Sequence, residues 1–258
     1  MIDLSKYPLP AIVAVSLVII LLAGEIGRRL GLYAGARGGH NDSTLESAIL
    51  GLLSLMISFT FAMALTLYEA RRDAVLNEAN AIGATAFRAR LLPSPQDAEI
   101  LELLRNYLRL RLDITQKILP AQEFAAEVAR SNTIHESLWK QAREAAAKNS
   151  EFVPTGLFIQ ALNVMIDDQE KRLAALRNRI PNIVLLALYG IAAVAIGVGG
   201  YGAGVEPRRS RLQVFVIGIL VSFVIFLIQD LDRPGTGFIR VSQQPMVDVA
   251  ASIGAIAD

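Results

Sequence analysis

The chain has 258 residues, 53% of them hydrophobic, with no cysteine, two histidines and a formal charge of +1. The missing cysteines exclude thiol catalysis, disulfides and Cys-ligated zinc, and His40 and His135 alone are too few for a His-built metal centre. The near-balanced charge gives no pull towards nucleic acid, and a mean hydropathy of +0.43 predicts membrane spans.

Four apolar runs stand out. The first is Leu9 to Gly24, extending to about Leu30; the second is Leu45 to Leu67; the third is Ile183 to Tyr201; the fourth is Leu212 to Ile228. Each is near the roughly 17–25 residues that cross a hydrocarbon core. Lys6 before the first run and the small residues Ala34-Gly35-Ala36 have the form of a cleavable signal, but Arg28 and Arg29 intervene, so the segment is taken as an uncleaved span.

Between the second and third runs lies a polar block of about 110 residues, Tyr68 to Pro181, with helical periodicity and no strand-like alternation. One helix is expected to continue from the second span to about Leu92, where Pro93-Ser94-Pro95 ends it. A second helix is expected from about Pro95 to Leu119, stopped by Pro120. In the third region, Ala121 to Lys148, Thr133 followed by Glu136 has the form of a capping box and predicts a restart. Asn149 to Pro154 is expected to be a loop, and a last helix to start near Thr155 and run through Arg179 to a join at Pro181. In the tail, Pro234, Gly235 and Gly237 mark a turn, after which Ile239, Met246 and Val247 are candidates to dock on the body.

The fold class is therefore an all-α membrane protein with four transmembrane helices and a helical extramembrane domain between spans 2 and 3. The expected divisions are 1–67 (spans 1 and 2), 68–181 (helical domain), 182–229 (spans 3 and 4) and 230–258 (tail). An even number of spans puts both termini and the helical block on one side. The short loops carry Arg28, Arg29, Arg37, Arg208, Arg209 and Arg211, whereas the block carries Arg71, Arg72, Lys171, Arg172, Arg177 and Arg179 near its junctions. Counted on short loops alone, this charge would place the block outside the cytoplasm.

The second span carries the most informative pattern. At 100° per residue, Ser47, Gly51, Ser54, Ser58, Ala62 and Glu69 fall within a sector of about 80°, with Thr66 at its edge. Small residues on one line permit close helix packing. They also suit a water-filled path, where bulk would block flow and hydroxyls replace part of an ion's hydration shell. Both explanations stand on periodicity alone. Glu69, Arg71 and Arg72 sit where the helix leaves the apolar run, either as a solvated rim or, in a ring of identical subunits, as charged rings at a pore mouth.

Asp230 and Asp232, two apart after the fourth span, are either a cap and partners for Arg233 and Arg240, or part of a Ca²⁺ site, which would need six to eight oxygens. Gly197 to Gly202 spells G-x-G-x-x-G, but it ends a membrane span rather than following a strand, so it reads as small-residue packing. No catalytic constellation can be assembled, which argues against an enzyme. His135 and Trp139, one helical turn apart, read as core or half-buried surface.

The residues Leu52 to Leu92, LLSLMISFTFAMALTLYEARRDAVLNEANAIGATAFRARLL, resemble the second-span region of bestrophins, with Tyr68, Glu69, Arg71, Arg72, Asn77, Asn80 and Arg88 at the matching positions. EARR, NEANAIG, LLP, ALNVMID and DLDRPGTGFIRVSQQP resemble most closely the bacterial bestrophin-like membrane proteins, and the likeness spans about Leu45 to Val247. Bestrophins are anion channels, pentamers of four-span subunits with an intracellular helical domain and a second span that lines the pore. The resemblance implies a homo-oligomer, pentameric, in the bacterial inner membrane, with inorganic ions and the lipid bilayer as its partners and the helical block and both termini cytoplasmic. Ser54, Ser58, Ala62 and Thr66 would face its neck. Two departures are plain: only Asp230 and Asp232 stand where eukaryotic bestrophins carry a longer Ca²⁺-holding acidic cluster, and the stripe is small and polar where the usual neck is bulky and apolar. The other class of function open to the sequence is a membrane-anchored interaction or sensory module whose stripe only packs helices.

Overall fold

The computed structural model describes residues 7–116, 121–148, 152–206, 210–235 and 237–255. Pro120, Arg208, Arg209, Lys6 and residues 149–151 of the expected loop lie outside them. The described residues form eight helices and no strand: α1 (Leu9–Gly35), α2 (Ser43–Ala89), α3 (Gln96–Gln116), α4 (Ala121–Lys148), α5 (Phe152–Arg177), α6 (Asn182–Val205), α7 (Arg211–Asp232) and α8 (Gln244–Ala255). Four helical stretches, in α1, α2, α6 and α7, are long and apolar enough to cross a membrane.

α2 runs 47 residues because no proline interrupts Ser43 to Ala89. Asp42 caps its start: Oδ1 accepts from the amides of Thr44 (3.0 Å) and Leu45 (3.2 Å). Three elements differ from expectation. α4 passes through Thr133 without a restart, because the Thr133 hydroxyl donates back to the Ala129 carbonyl (3.2 Å) instead of capping a new turn. α5 begins at Phe152, ahead of the expected Thr155, because Pro154 falls in the first turn, where a missing amide hydrogen costs nothing. The tail forms the unforeseen helix α8. Its Met246 is fully buried, but Val247 beside it and Ile239 ahead of the helix are 43% and 36% exposed, so of the three docking candidates only Met246 enters a core.

The chain divides into two compact units. The first comprises Met1–Tyr68 and Arg179–Ile239, the second Glu69–Asn178 and Arg240–Asp258.

In the first unit, α1 and α6 meet backbone to backbone. A Cβ on Gly27 would run into the Gly197 carbonyl, on Gly31 into that of Tyr201, on Gly200 into that of Gly24, and on Gly204 into that of Arg28. Gly24, Gly27 and Gly31 recur one helical turn apart, as do Gly197, Gly200 and Gly204, so each helix offers a flat face. Lipid tails give apolar side chains little reason to leave the bilayer, so close approach and dispersion supply the association. Alongside this seam, Ile20, Leu188, Ala192, Ile196, Ile225 and Ile228 form an apolar cluster that Leu53 and Ala64 of α2 join.

In the second unit, Ile82 and Ala86 of α2, Leu104 and Leu108 of α3, Leu138 of α4, Phe158 and Leu162 of α5, and Met246 of α8 make one core. A polar network is embedded in it. Glu78, wholly buried, lies 2.8 Å from Arg111 Nε and 2.6 Å from Arg172 Nη1. The Tyr107 hydroxyl shares its hydrogen between Glu78 Oε1 (2.6 Å) and Gln169 Oε1 (2.7 Å). Gln169 in turn donates to Asn132 (3.2 Å), and Arg172 Nη2 donates to Gln243 Oε1 (2.9 Å). Four helices and the segment before α8 thus share one set of hydrogen bonds. Burial pushes the Glu78 carboxyl up, but Arg111 and Arg172 outweigh it and hold it below the usual range. Burial pushes the Tyr107 phenol well above its ordinary value, and the Glu78 charge adds to that.

His135 stacks 5.1 Å from the Tyr107 ring. Burial, the largest influence, pushes His135 down to about 4, opposed by Glu78 and reinforced by Arg111. The folded protein therefore holds His135 neutral while the unfolded chain takes up a proton near pH 6.5.

Two outcomes follow. Gly27→Ala is expected to force α1 from α6 and lower the melting temperature in detergent, because the new methyl meets backbone that cannot rotate away. Between pH 7 and pH 5 stability is expected to fall by about 2 kcal/mol through His135 alone. His135→Gln should remove that part of the slope when melting is followed against pH.

Candidate functional site

The second span places its small and polar residues on an uncovered face. Ser47, Gly51, Ser54, Ser58, Ala62, Thr66 and Glu69 are all exposed in the single chain. The positions between them that turn towards the rest of the first unit are closed off: Leu53 is 3% exposed, Thr60 2% and Ala64 fully buried. A Cβ on Gly51 would meet open space, so this glycine is not there to let another part of the chain approach.

Three hydroxyls on the face are satisfied by their own helix. Ser54 donates to the Leu50 carbonyl (3.0 Å), Ser58 to Ser54 (2.9 Å) and Thr66 to Ala62 (3.0 Å). Each therefore presents lone pairs outward while its hydrogen points back. The stripe also contains a bulky residue. Leu65, 39% exposed, lies eleven residues after Ser54, three helical turns along the same line. The further steps of that repeat, Leu76 and Phe87, are 44% and 58% exposed. An eleven-residue spacing was the signal that would have found them.

The charges at the end of the apolar run divide. Glu69 and Arg72 are exposed. Arg71, expected as a mouth charge, is instead 3% exposed: its Nε donates to the Ala175 carbonyl (3.3 Å) and its Nη2 to that of Asn178 (2.7 Å). It thereby serves the unpaired carbonyls at the end of α5, where the helix dipole favours a cation. Arg172, counted among the membrane-flanking charges, is likewise buried on Glu78.

Asp230 and Asp232 are buried as well. Asp230 Oδ1 accepts from the Phe238 amide (2.7 Å) and Oδ2 from the Ile239 amide (2.8 Å), so one carboxylate ties down the chain after the turn. Gly235, at φ +81°, makes that turn, and Gly237 lies so close that a Cβ would stand 2.7 Å from Asp230 Oδ1. Asp232 Oδ1 accepts from the Ile180 amide (2.8 Å), which fixes the segment leading into α6. The donor set does not fit Ca²⁺: two carboxylates, both held by amides, fall far short of six to eight oxygens, and no third His, Asp or Glu joins them among the described residues. Both carboxylates instead hold backbone, one after α7 and one before α6.

Four apolar helices and a helical unit between the second and third define a multi-span, all-α membrane protein. The chain belongs to the bestrophin-like family, whose domain its sequence matches over residues 44–246. Its fold is similar to crystal structures of a bacterial bestrophin homolog from Klebsiella pneumoniae. Three single-site mutants of that protein superpose with TM-scores of 0.72, 0.71 and 0.70 at 13%, 13% and 14% identity. The alignments cover 95%, 95% and 96% of this chain and 98%, 98% and 96% of those chains. At such identity the likeness is one of fold. No curated protein matches the sequence.

Asp230→Ala is expected to lower stability by about 2–4 kcal/mol, since a buried carboxylate loses two charge-assisted bonds to backbone amides. The loss should appear as a lower melting temperature together with faster hydrogen exchange at Phe238 and Ile239. Added Ca²⁺ should not restore either.

Proposed function

We propose that this chain is one subunit of a homo-oligomeric channel that passes inorganic ions passively, with the stripe of α2 facing the axis of the assembly. The observation that carries this reading is the coincidence of polarity and exposure. Ser47, Gly51, Ser54, Ser58, Ala62 and Thr66 lie uncovered along one line of the span, with Leu65 among them. A row of small side chains offers little contact to lipid tails and leaves hydroxyl lone pairs outward, so the face suits water or another copy. Because the Ser54, Ser58 and Thr66 hydroxyls already bond their own helix, none of the three needs a partner across a helix interface, which favours water. Membership of the bestrophin-like family favours the same assignment, with a pentameric ring in the bacterial inner membrane and the helical unit and termini in the cytoplasm.

In this arrangement the span supplies no chemistry. It supplies width, a row of oxygens and a fixed wall. Bulk rather than charge would set the narrowest places, at Leu65 and at the later steps of its repeat. Anion conduction is the selectivity that family resemblance favours. A second reading, cation conduction, is favoured by a specific observation: the back-bonded hydroxyls offer lone pairs, and Glu69 is exposed at the end of the stripe.

The test is flux in liposomes, with chloride and potassium gradients applied separately. Ser58→Trp is expected to leave the protein folded and oligomeric, because the site is open, and to abolish flux. Undiminished flux in a well-folded mutant would refute the pore assignment. The gradient that discharges in the wild type names the ion class.

A further inference from the structure

Away from α2, the first unit contains a groove of about 410 Å³ between the first halves of α1 and α6. Ala11, Ile12, Val15 and Ile19 line it along α1, and Leu186 and Tyr189 close it from α6. Its polar groups are already engaged: Ser16 Oγ donates to the Val13 carbonyl (3.0 Å), and the Tyr189 hydroxyl interacts with the side chains of Ser16 and Gln229. What remains is an apolar channel running lengthwise along a membrane helix, flanked by the exposed side chains of Val18 and Leu22.

The groove ends at Tyr7, and there the chemistry changes. Arg233 Nη1 donates to the Tyr7 carbonyl (2.7 Å). Arg179 is exposed and precedes Ile180, whose amide is held by Asp232, the neighbour of Arg233. The two guanidiniums repel: Arg233 is pushed below its ordinary value first by burial and then by the Arg179 charge, while Asp232, Tyr189 and Asp230 pull the other way. Those two carboxylates are buried and turned to backbone amides, so the charge offered outward at this end is positive.

We propose that this groove binds one anionic phospholipid of the bilayer, with an acyl chain along Ala11, Val15 and Ile19 and its phosphate at Arg179 beside Arg233. An apolar slot that opens at a cationic, aromatic rim matches the two ends of such a lipid. A helix of a second copy is about 10–12 Å across and does not fit a slot of ligand size. Occupancy would staple α1 to α6 in the half of the membrane that the glycine seam does not reach.

The experiment is native mass spectrometry of the full chain in mild detergent, titrated with phosphatidylglycerol or with phosphatidylcholine of the same acyl chains. One phosphatidylglycerol per chain is expected to survive activation that strips phosphatidylcholine. Arg179→Gln should reduce the excess of phosphatidylglycerol over phosphatidylcholine roughly fivefold and leave phosphatidylcholine uptake unchanged. Ala11→Trp should fill the slot and abolish both. Equal retention of the two lipids in the wild type overturns the proposal, as does an unaltered phosphatidylglycerol excess in Arg179→Gln. Phosphatidylglycerol still bound to an Ala11→Trp protein of wild-type size overturns it too. A change of oligomer size in that variant would assign the slot to a second copy instead. None of these readouts depends on conduction, so the lipid site and the pore stand or fall separately.

Discussion

The close approach of α1 and α6 is the constraint on which the membrane unit rests. In lipid a leucine gains little by facing another helix, so association has to come from backbone proximity, and only a row of glycines on both partners allows it. Gly24, Gly27 and Gly31 on one side and Gly197, Gly200 and Gly204 on the other meet that requirement along three turns. A consequence follows for α2. The span touches its own unit along one side, through Leu53, Thr60 and Ala64 with Ile49, Met56, Ile57 and Leu67 beside them, and leaves the opposite side uncovered. A helix held along one edge is well suited to present the opposite edge to an axis.

Beyond Tyr68 the same helix obeys different physics. In the second unit Ala74, Val75, Glu78, Ala79, Ile82 and Ala86 are all buried, as in an ordinary soluble core. The core differs in holding a carboxylate between two guanidiniums. A buried ion pair adds little to stability relative to apolar side chains of the same volume, but removing one member leaves an uncompensated charge. Glu78 therefore acts as a specificity device: it fixes Arg111 of α3, Tyr107 of α3, Arg172 of α5 and, through Arg172, Gln243 in one mutual register. Only an arrangement that brings all of them together satisfies the charge.

How legible this was in the sequence depends on which force wrote each feature. The spans, the long unbroken α2 and the stripe follow from composition, absence of proline and a 3.6-residue period, all local. The turn at Gly235 was equally plain, since Pro and Gly act on the backbone where they stand. What stayed hidden is pairwise and distant in sequence. Nothing in the neighbourhood of Glu78 announces Arg111 and Arg172, and nothing near Arg71 announces the end of α5. Thr133 misled for the related reason that a Thr with an acid three residues later is identical in a cap and in mid-helix; the choice is made by the apolar stripe of Leu138, Ala142 and Ala145, buried against other helices. Met246 was indistinguishable from Val247 until α8 gave the pair a direction.

The distribution of committed charge also bears on selectivity. Arg71, Glu78, Arg111, Arg172, Asp230 and Asp232 are all buried and bonded, so none of them can meet a passing ion without dismantling the fold. The ionisable groups on α2 that remain outward near the end of the apolar run are Glu69, Arg72 and Asp73. Within the span itself the face offers oxygens whose hydrogens are already donated to the helix, a surface that is polar but nearly neutral. Ion preference in such a path would be set at its end, where charge is present, and only width would be set within it. A ring of glutamates beside a ring of arginines gives opposing fields within a Debye length of each other, so the sign that prevails is decided by which side chain stands nearer the axis. By helical position Glu69 falls near the middle of the stripe's sector and Arg72 at its edge, so in the proposed path the carboxylate would stand closer to the axis.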